Sequence, residues 1–528
     1  MTRPLRIGVL LGSGQRREAW QLRVLDRLGA DPDLYRVTEL VHPEATARKA
    51  APGLFRHAMR LEGAILAREA AFQPSEPVGV PEVVTLPPGD GGLALDSNAA
   101  KRLLKDHDLD LVIRMTPASL PDAVVAILPF GEWAFSFSTD QDGGADWTGF
   151  RDVVDHLPSS EISLNARQGG RSSVIASGGF NPKFSATRNS GFLKERAVTM
   201  LMRELRRLHD NGVVASSGVA PKPAPGPPSG RDLLRYSVGL GTSLARRATK
   251  AVKARTGLGA TVWTLYVGRG DITDFDPGSA VEIAPSAGEI RADPFLFEHD
   301  HQLYLFYEAY KAGDRKAHIA VGRLDGDSLV PLGKALEKEH HLSYPFVFSH
   351  DGEIYMIPET NQARRVEVWR CVDFPLRWEL HATALEGHSP ADSALVRHAG
   401  AWWLFTNLSD FHAYEDHCSE LHVFRVDGPS LRTIEPHRLN PVVIDGTVAR
   451  NAGRLFSKDN RLHRPSQRNE HGIYGYGLNI MEIDQLDLDR YSERCVRVVH
   501  PDFKPGLMGC HHFDSAGGRF VIDARLND

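Results

Sequence analysis

Two patterns of hydrophobic positions divide the chain. Over residues 4–210, short apolar runs alternate with stretches of helical spacing. Residues 6–11 read as a buried strand, and Trp20, Leu22, Val24, Leu25 and Leu28 then recur at helical intervals over residues 17–29. Further strands are expected at Tyr35–Val41, Val83–Leu86, Leu109–Met115, Glu132–Ser138, Glu161–Ala166 and Ser173–Ala176, with a long helix from about Gly191 to His209. This alternation predicts an α/β layer with a mostly parallel sheet. Gly12-Ser13-Gly14 follows the first strand, where a ligand-binding turn can lie, but it lacks the third glycine of a dinucleotide fingerprint and reads as a plain strand-to-helix turn.

From Thr261 onward the period changes. Residues 293–308 form a run of two short strands joined by a polar turn, and the run recurs at 344–359 and 392–407, with weaker copies starting at Ala452 and Gly509. A period of about fifty residues with several short strands per unit is the mark of a β-propeller, and five copies predict five blades. The last copy ends at Phe520–Ala524 with no chain left for its outer strands. Val262–Val267 precedes the first copy, so residues 261–268 are predicted to complete the last blade and remove an exposed edge. The predicted architecture is α/β plus all-β: a domain at 1–210, a proline-rich linker and basic helix at 211–260, and a five-bladed β-propeller at 261–528.

The connector has two parts. Residues 215–230 are dense in proline and predict an extended spacer. Residues 231–256 carry seven Lys/Arg and one Asp among Leu233, Leu234, Val238, Leu240, Leu244 and Val252. A basic helix resting on an anionic membrane is one reading, which Gly239 and Gly241 weaken; a solvated connector is the favoured one, because charge runs are usually solvated faces. The net charge of −5 gives no drive toward nucleic acid. Four scattered cysteines form no CxxC pair, which suits a reducing compartment. Only a short apolar run, Ile7–Leu11, opens the chain, so a cytoplasmic protein, with membrane association through 231–256 as the alternative, is the expectation.

The wording of residues 4–210 resembles the formyltransferase family: Ile7-Gly8-Val9-Leu10, Leu109-Asp110-Leu111-Val112-Ile113-Arg114, Trp133-Ala134-Phe135, and a closing helix with Leu201, Leu205 and Leu208. The resemblance implies a Rossmann-type fold. It places a catalytic Asn and His after the third of these strands, where this chain has Ser136-Phe137-Ser138-Thr139, and a later Asp-x-Gly where this chain has Gln168-Gly169-Gly170. A neutral hydroxyl does not replace imidazole as acid and base at neutral pH, so formyl transfer is not expected here. Asp140 is a remaining polar candidate but reads as a turn carboxylate.

Equivalent positions in successive blades form rings around the channel. At the first repeat position stand Asp293, Tyr344, Asp392, Ala452 and Gly509; at the sixteenth, Glu308, Glu359, Asn407, Gln467 and Ala524. Residues 463–467 add Arg464, and 509–512 add His511 and His512. This half resembles the five-bladed propeller glycosidases through Asp293-Pro294 and Gly509-Cys510-His511. It resembles more closely the N-terminal domain of glucosamine inositolphosphorylceramide transferases, through Ala292-Asp293-Pro294-Phe295, Tyr344-Pro345-Phe346-Val347-Phe348, the run from Gly352 to Thr360, and Arg464-Pro465-Ser466-Gln467. The glycosidases carry their second Asp in blade two, where this chain has Tyr344.

Glycosyl chemistry needs paired carboxyls, one to protonate the leaving oxygen and one to activate an acceptor or stabilise charge. Asp293 and Asp392 are the candidates for base and charge stabiliser, and Glu359 for acid. Glu308, Tyr344, Asn407, Arg464, Gln467, His511 and His512 are candidate substrate contacts, with Arg464 suited to a carboxylate or phosphate. The alternative is that the acids hold hydrogen bonds between blades. Asp410, His412, Glu415, Asp416 and His417 fit no standard metal spacing and read as a solvated loop, so no metal site is assigned. The expected function is glycosyl transfer in assembly or modification of a cell-surface glycan. Its alternatives are a formyl or acyl transferase acting on an amino sugar, a propeller glycosidase, and a non-catalytic glycan-binding scaffold. The cofactor stays open: a nucleotide sugar is a candidate donor, and folate fits poorly for want of its acid and base.

Overall fold

The computed structural model describes residues 3–526 apart from 13–16, 43–51, 68–81, 89–95, 138–146, 215–225, 257–262, 286–287, 312–313, 315 and 410–415. Ser13, Gly14, Ser138, Thr139, Asp140, Asp410, His412, Glu415 and most of the proline-rich spacer therefore fall outside the described residues. The chain divides into two units, Met1–Ser243 and Leu244–Asp528.

The first unit is built on one seven-stranded sheet. Its order is Glu82–Thr85, Tyr35–His42, Leu5–Gly12, Leu111–Arg114, Glu132–Phe137, Ser160–Gln168 and Arg171–Phe180. The first five strands run parallel and the last two return antiparallel. The strand Leu5–Gly12 is a nearly continuous apolar run, as expected where helices cover both faces; Leu5, Ile7, Val9, Leu10 and Leu11 are fully buried. Gln168-Gly169-Gly170 forms the turn between the two antiparallel strands. The helix Ala186–Asn211 begins five residues before its apolar periodicity, because Ser185 caps it by accepting from Arg188 N–H. It ends on Gly212 in the left-handed region, a common helix stop.

Residues Gly230–Thr256 form a continuous helix, the basic helix expected after the proline-rich linker. Two mid-helix glycines cost about 1 kcal/mol each. Tertiary packing offsets this: Tyr236 is buried against Phe150 and Phe55, with Leu233 and Leu240 beside it. Its hydroxyl donates to Glu62 Oε2 at 2.5 Å and accepts from Ala186 N–H at 2.8 Å. Tyr236→Phe should strand both partners and destabilise the first unit by about 1–3 kcal/mol in chemical denaturation; an unchanged transition would show that the helix is not anchored there.

The second unit holds five antiparallel sheets, the five blades. Blade one is Glu289–His299, Gln302–Lys311, His318–Asp325 and Ser328–Leu336; blade two is Ser343–His350, Glu353–Glu359, Val366–Asp373 and Arg377–Ala384. Blade three is Pro390–His398, Ala401–Leu408, Glu420–Val426 and Ile434–Pro436; blade four is Phe456–Lys458, Arg461–Glu470, Ile473–Leu486 and Tyr491–Val499. Blade five joins both ends of the unit. The C-terminal strand Arg519–Leu526 pairs with Leu507–Gly509 and Phe513–Ala516 on one side and with Trp263–Arg269 on the other, from Arg269 opposite Arg519 to Trp263 opposite Arg525. Val281–Ile283 adds the outermost strand. The ring thus closes through the strand that the truncated last repeat called for.

The blades pack through the aromatic positions of the repeat. Phe295, Tyr344, Phe346, Phe405 and Phe424 share one buried cluster across blades one to three. Each such ring is worth about 1.5–3 kcal/mol in burial, so the Tyr-Phe-Leu repetition is the force that assembles the ring.

Candidate active site

The first repeat position has a special backbone. Asp293, Tyr344 and Asp392 lie in the left-handed region at φ 50°, 47° and 47°, each at a register shift between the first two strands of its blade. Such a β-bulge re-aims a side chain away from the strand face. The sixteenth position sits beside it: Glu308 pairs with Ala292, Glu359 with Ser343 and Asn407 with Ala391. Repeat sequence, bulge and pairing together place acids from different blades in one cluster.

Asp293 stands at its centre. Its backbone N–H donates to Asp523 Oδ2 at 3.1 Å, and its own Oδ2 accepts Tyr344 N–H at 3.2 Å. His511 Nε2 lies 3.6 Å and His512 Nδ1 3.5 Å from its Oδ1. Burial alone would push this carboxyl up, but His512, His511 and Arg450 outweigh it and hold Asp293 well below the usual range. His511 is enclosed between two acids, with Nδ1 2.7 Å from Asp523 Oδ2. Burial lowers its pKa, and the Asp523 and Asp293 charges more than reverse that, to about 9.

Glu359 has the opposite environment. Burial, then the charge of neighbouring Asp392, push it well above the ordinary carboxylate range, although Arg450 pulls the other way. Arg450 holds both acids: Nε is 2.6 Å from Asp392 Oδ2, and Nη2 is 3.2 Å from Asp392 Oδ1 and 3.2 Å from Glu359 Oε2. Glu308 is also raised by burial, with His341 opposing and Asp293 adding to the rise. Ala317 N–H donates to His341 Nδ1, so His341 Nε2 carries its proton toward Glu308 Oε1 at 3.2 Å.

Asp293, Glu308, Glu359, Asp392 and His511 therefore interact electrostatically, and Gln467 and Tyr474 join them. Gln467 is buried, and its Nε2 donates to Tyr474 Oη at 3.4 Å. The Tyr474 ring lies 5.3 Å from the Arg450 guanidinium and 5.4 Å from the His511 ring.

Four residues expected to contact substrate do other work. All five N–H donors of Arg464 are used, by Glu493 Oε1 and Oε2, by the Val448 and Ala449 carbonyls and by Asn451 Oδ1. Fully buried, it cannot bind a substrate anion. Asn407 donates to the Glu420 and Ala449 carbonyls and accepts from Asn451 N–H. Tyr344 Oη donates to the Gly453 carbonyl at 2.7 Å, where Gly453 passes so close to blade five that a Cβ would meet the Phe513 carbonyl at 1.9 Å. His512 is fully buried, edge-on to Phe295 and Tyr344, with Nδ1 beside Asp293 Oδ1. Bonds between blades thus account for part of the acid and amide rings.

Sequence reading missed Arg450, Asp523, His341 and Tyr474. Asp523 carried a signal: it is a lone acid in the apolar run Phe520–Ala524, and a buried charge needs partners. Asp293, His511 and Asp523 offer three ligand atoms within 4.8 Å of one another. Asp523 already accepts N–H from Asp293, His511 and His512 and pairs with the His511 ring, so these atoms satisfy each other. Of the loop acids and histidines in the described residues, Asp416 accepts Cys418 N–H and His417 faces Ser389.

Residues 278–507 match the family described as glucosamine inositolphosphorylceramide transferase 1, N-terminal. The chain is 36% identical over 233 residues to glucosamine inositolphosphorylceramide transferase 1 of Oryza sativa subsp. japonica, covering 42% of this chain and 31% of that protein. The Arabidopsis thaliana protein of the same name is 36% identical over 207 residues, 38% of this chain and 26% of its own. The match thus spans between a quarter and a third of these relatives' length. Among solved structures, an α-L-arabinofuranosidase from Lactobacillus brevis aligns with TM-score 0.33 and 14% identity, over 45% of this chain and 84% of that one. A GH43_1 enzyme from Xanthomonas citri complexed with xylotriose aligns with TM-score 0.31 and 13% identity, over 45% and 87%.

Proposed function

We propose that the propeller is a carbohydrate-active enzyme whose acid cluster acts on a glycosidic bond, in the direction of transfer to an acceptor. The observation that carries this is the divergence of two carboxyls in one cluster. Asp293 is held low and Glu359 is held high, and such a pair defines a base and an acid. Asp293 accepts the proton of the acceptor hydroxyl. Glu359 delivers its proton to the leaving oxygen. Asp392, fixed by Arg450, keeps Glu359 protonated through its like charge and faces the positive charge that develops on the sugar ring. The transferase name of the relatives favours transfer over hydrolysis, with a nucleotide sugar as candidate donor.

The pH profile tests the assignment. Glu359 must be protonated and Asp293 ionised, so turnover should fall as pH rises through the raised Glu359 pKa and stay high on the acid side down to the depressed Asp293 pKa. Sugar release or transfer by the full chain, measured across pH, is the assay. A rate that keeps rising above neutral pH removes Glu359 as acid. Turnover of a formyl-folate instead of a sugar donor would move the chemistry to the first unit.

Contact with an anionic membrane belongs to the same reading. Leu234 and Val238 are exposed on the 230–256 helix beside exposed Arg231 and Arg235. The full chain should sediment with phosphatidylglycerol vesicles at low salt and be released at high salt; binding that is absent, or indifferent to salt, ends this proposal.

A further inference from the structure

We propose that the sugar residue seated against these carboxyls is non-anionic, either a neutral pyranose or an amino sugar, with Tyr474 as its stacking platform and Gln467 as the acceptor that reads one of its donors. The inference rests on the carbohydrate reading of the site and narrows its substrate class.

The charge pattern carries the first half. An anionic sugar needs a cation that is not already matched. Arg450 is chelated by Asp392 and Glu359. His511 lies between Asp523 and Asp293, and His341 faces Glu308. Arg464 has no donor left. A uronate or phosphate placed here would face Asp293 and Asp392 in a partly desolvated site, where like charges are poorly screened.

The blade-four hairpin carries the second half. Gln467 Oε1 is buried and has no hydrogen-bond partner, while Nε2 is directed at Tyr474 Oη. An orphaned buried acceptor is costly, and a sugar O–H or N–H relieves it. Tyr474 keeps 39% of its surface open although its ring is held between Arg450 and His511. Gly475 makes that placement possible. It lies at φ +63°, and a Cβ there would come within 2.7 Å of His511 Cβ, so only glycine lets the hairpin close on blade five. An open aromatic ring at the edge of an acid cluster suits the apolar face of a pyranose.

The test is binding, read apart from turnover. Methyl glycosides of glucose, galactose, mannose and glucosamine, and methyl glucuronide and galacturonide, are titrated into the full chain and followed by saturation-transfer NMR. At least one neutral or amino glycoside should bind, with the uronides about tenfold weaker or more. Tyr474→Ala and Gln467→Leu should each weaken the bound probe by about three- to tenfold, the range set by one aromatic contact or one hydrogen bond. An amino sugar is distinguished from a neutral one by loss of affinity above the amine pKa. A uronide that binds as tightly as its neutral counterpart, or a probe indifferent to both substitutions, overturns the proposal. If Asp392→Asn still abolishes turnover in that case, the catalytic reading survives and only the substrate class fails. Absence of binding by every probe overturns the proposal, and the catalytic reading is then decided by turnover alone.

Discussion

Asp392→Asn is expected to lower turnover by about 10²–10⁴-fold, the range for loss of a positioned acid or base. The loss runs through Glu359. Asp392 is the neighbour whose charge helps keep Glu359 protonated, and both are gripped by Arg450. Neutralising Asp392 leaves a guanidinium with one carboxyl partner. Glu359 then ionises to pair with it, and the proton needed by the leaving group is lost. The basic limb of any residual pH profile should move to lower pH, which a purely structural role would not produce. Breaking a buried pair ordinarily costs about 3–5 kcal/mol. Transfer of Arg450 to Glu359 should reduce that cost, so the variant is expected to fold while losing activity. Full turnover in a folded variant would return Asp392 to a structural role.

Asp523→Ala is expected to have the largest effect on stability. Asp523 is fully buried and accepts three backbone N–H groups, from Asp293, His511 and His512. Alanine would leave all three without a partner at about 1–3 kcal/mol each. It would also remove the largest of the charges that raise His511, so the pKa of this imidazole would fall and its hold on Asp293 would weaken. Trp263 stacks on the His511 ring at 4.0 Å and reports the change by fluorescence. Denaturation of the full chain should show the propeller transition lowered by at least about 3 kcal/mol. A loss below about 1 kcal/mol would mean that water or neighbouring groups replace the carboxylate.

Much of this was legible in the sequence, for definite reasons. The five blades were readable because the repeat preserves its aromatic core positions, and ring closure because the last copy stops before its outer strands. The acids at the first and sixteenth positions were readable because charge inside an apolar repeat is costly without a purpose. Their bulged backbone was not, since Asp293, Tyr344 and Asp392 share a conformation but not a residue type. Arg464 was misassigned for a geometric reason: it stands three residues before Gln467 in one strand, and an odd separation puts the two on opposite faces. Arg450 was missed because it lies in the connection before blade four, outside the repeat. The helix at 230–256 was underweighted because its stability comes from Tyr236 packing on Phe150 and Glu62, contacts far apart in sequence.

The central claim is that a sugar is processed where Asp293, Glu359 and Asp392 meet. A crystal structure of the full chain with a bound glycan fragment tests it most directly. The account predicts one pyranose ring against Tyr474, with its glycosidic oxygen within hydrogen-bond reach of Glu359 and Asp293 about 5–10 Å away across the ring. A glycan bound on the outer blades or in the first unit, with these carboxyls untouched, would contradict it.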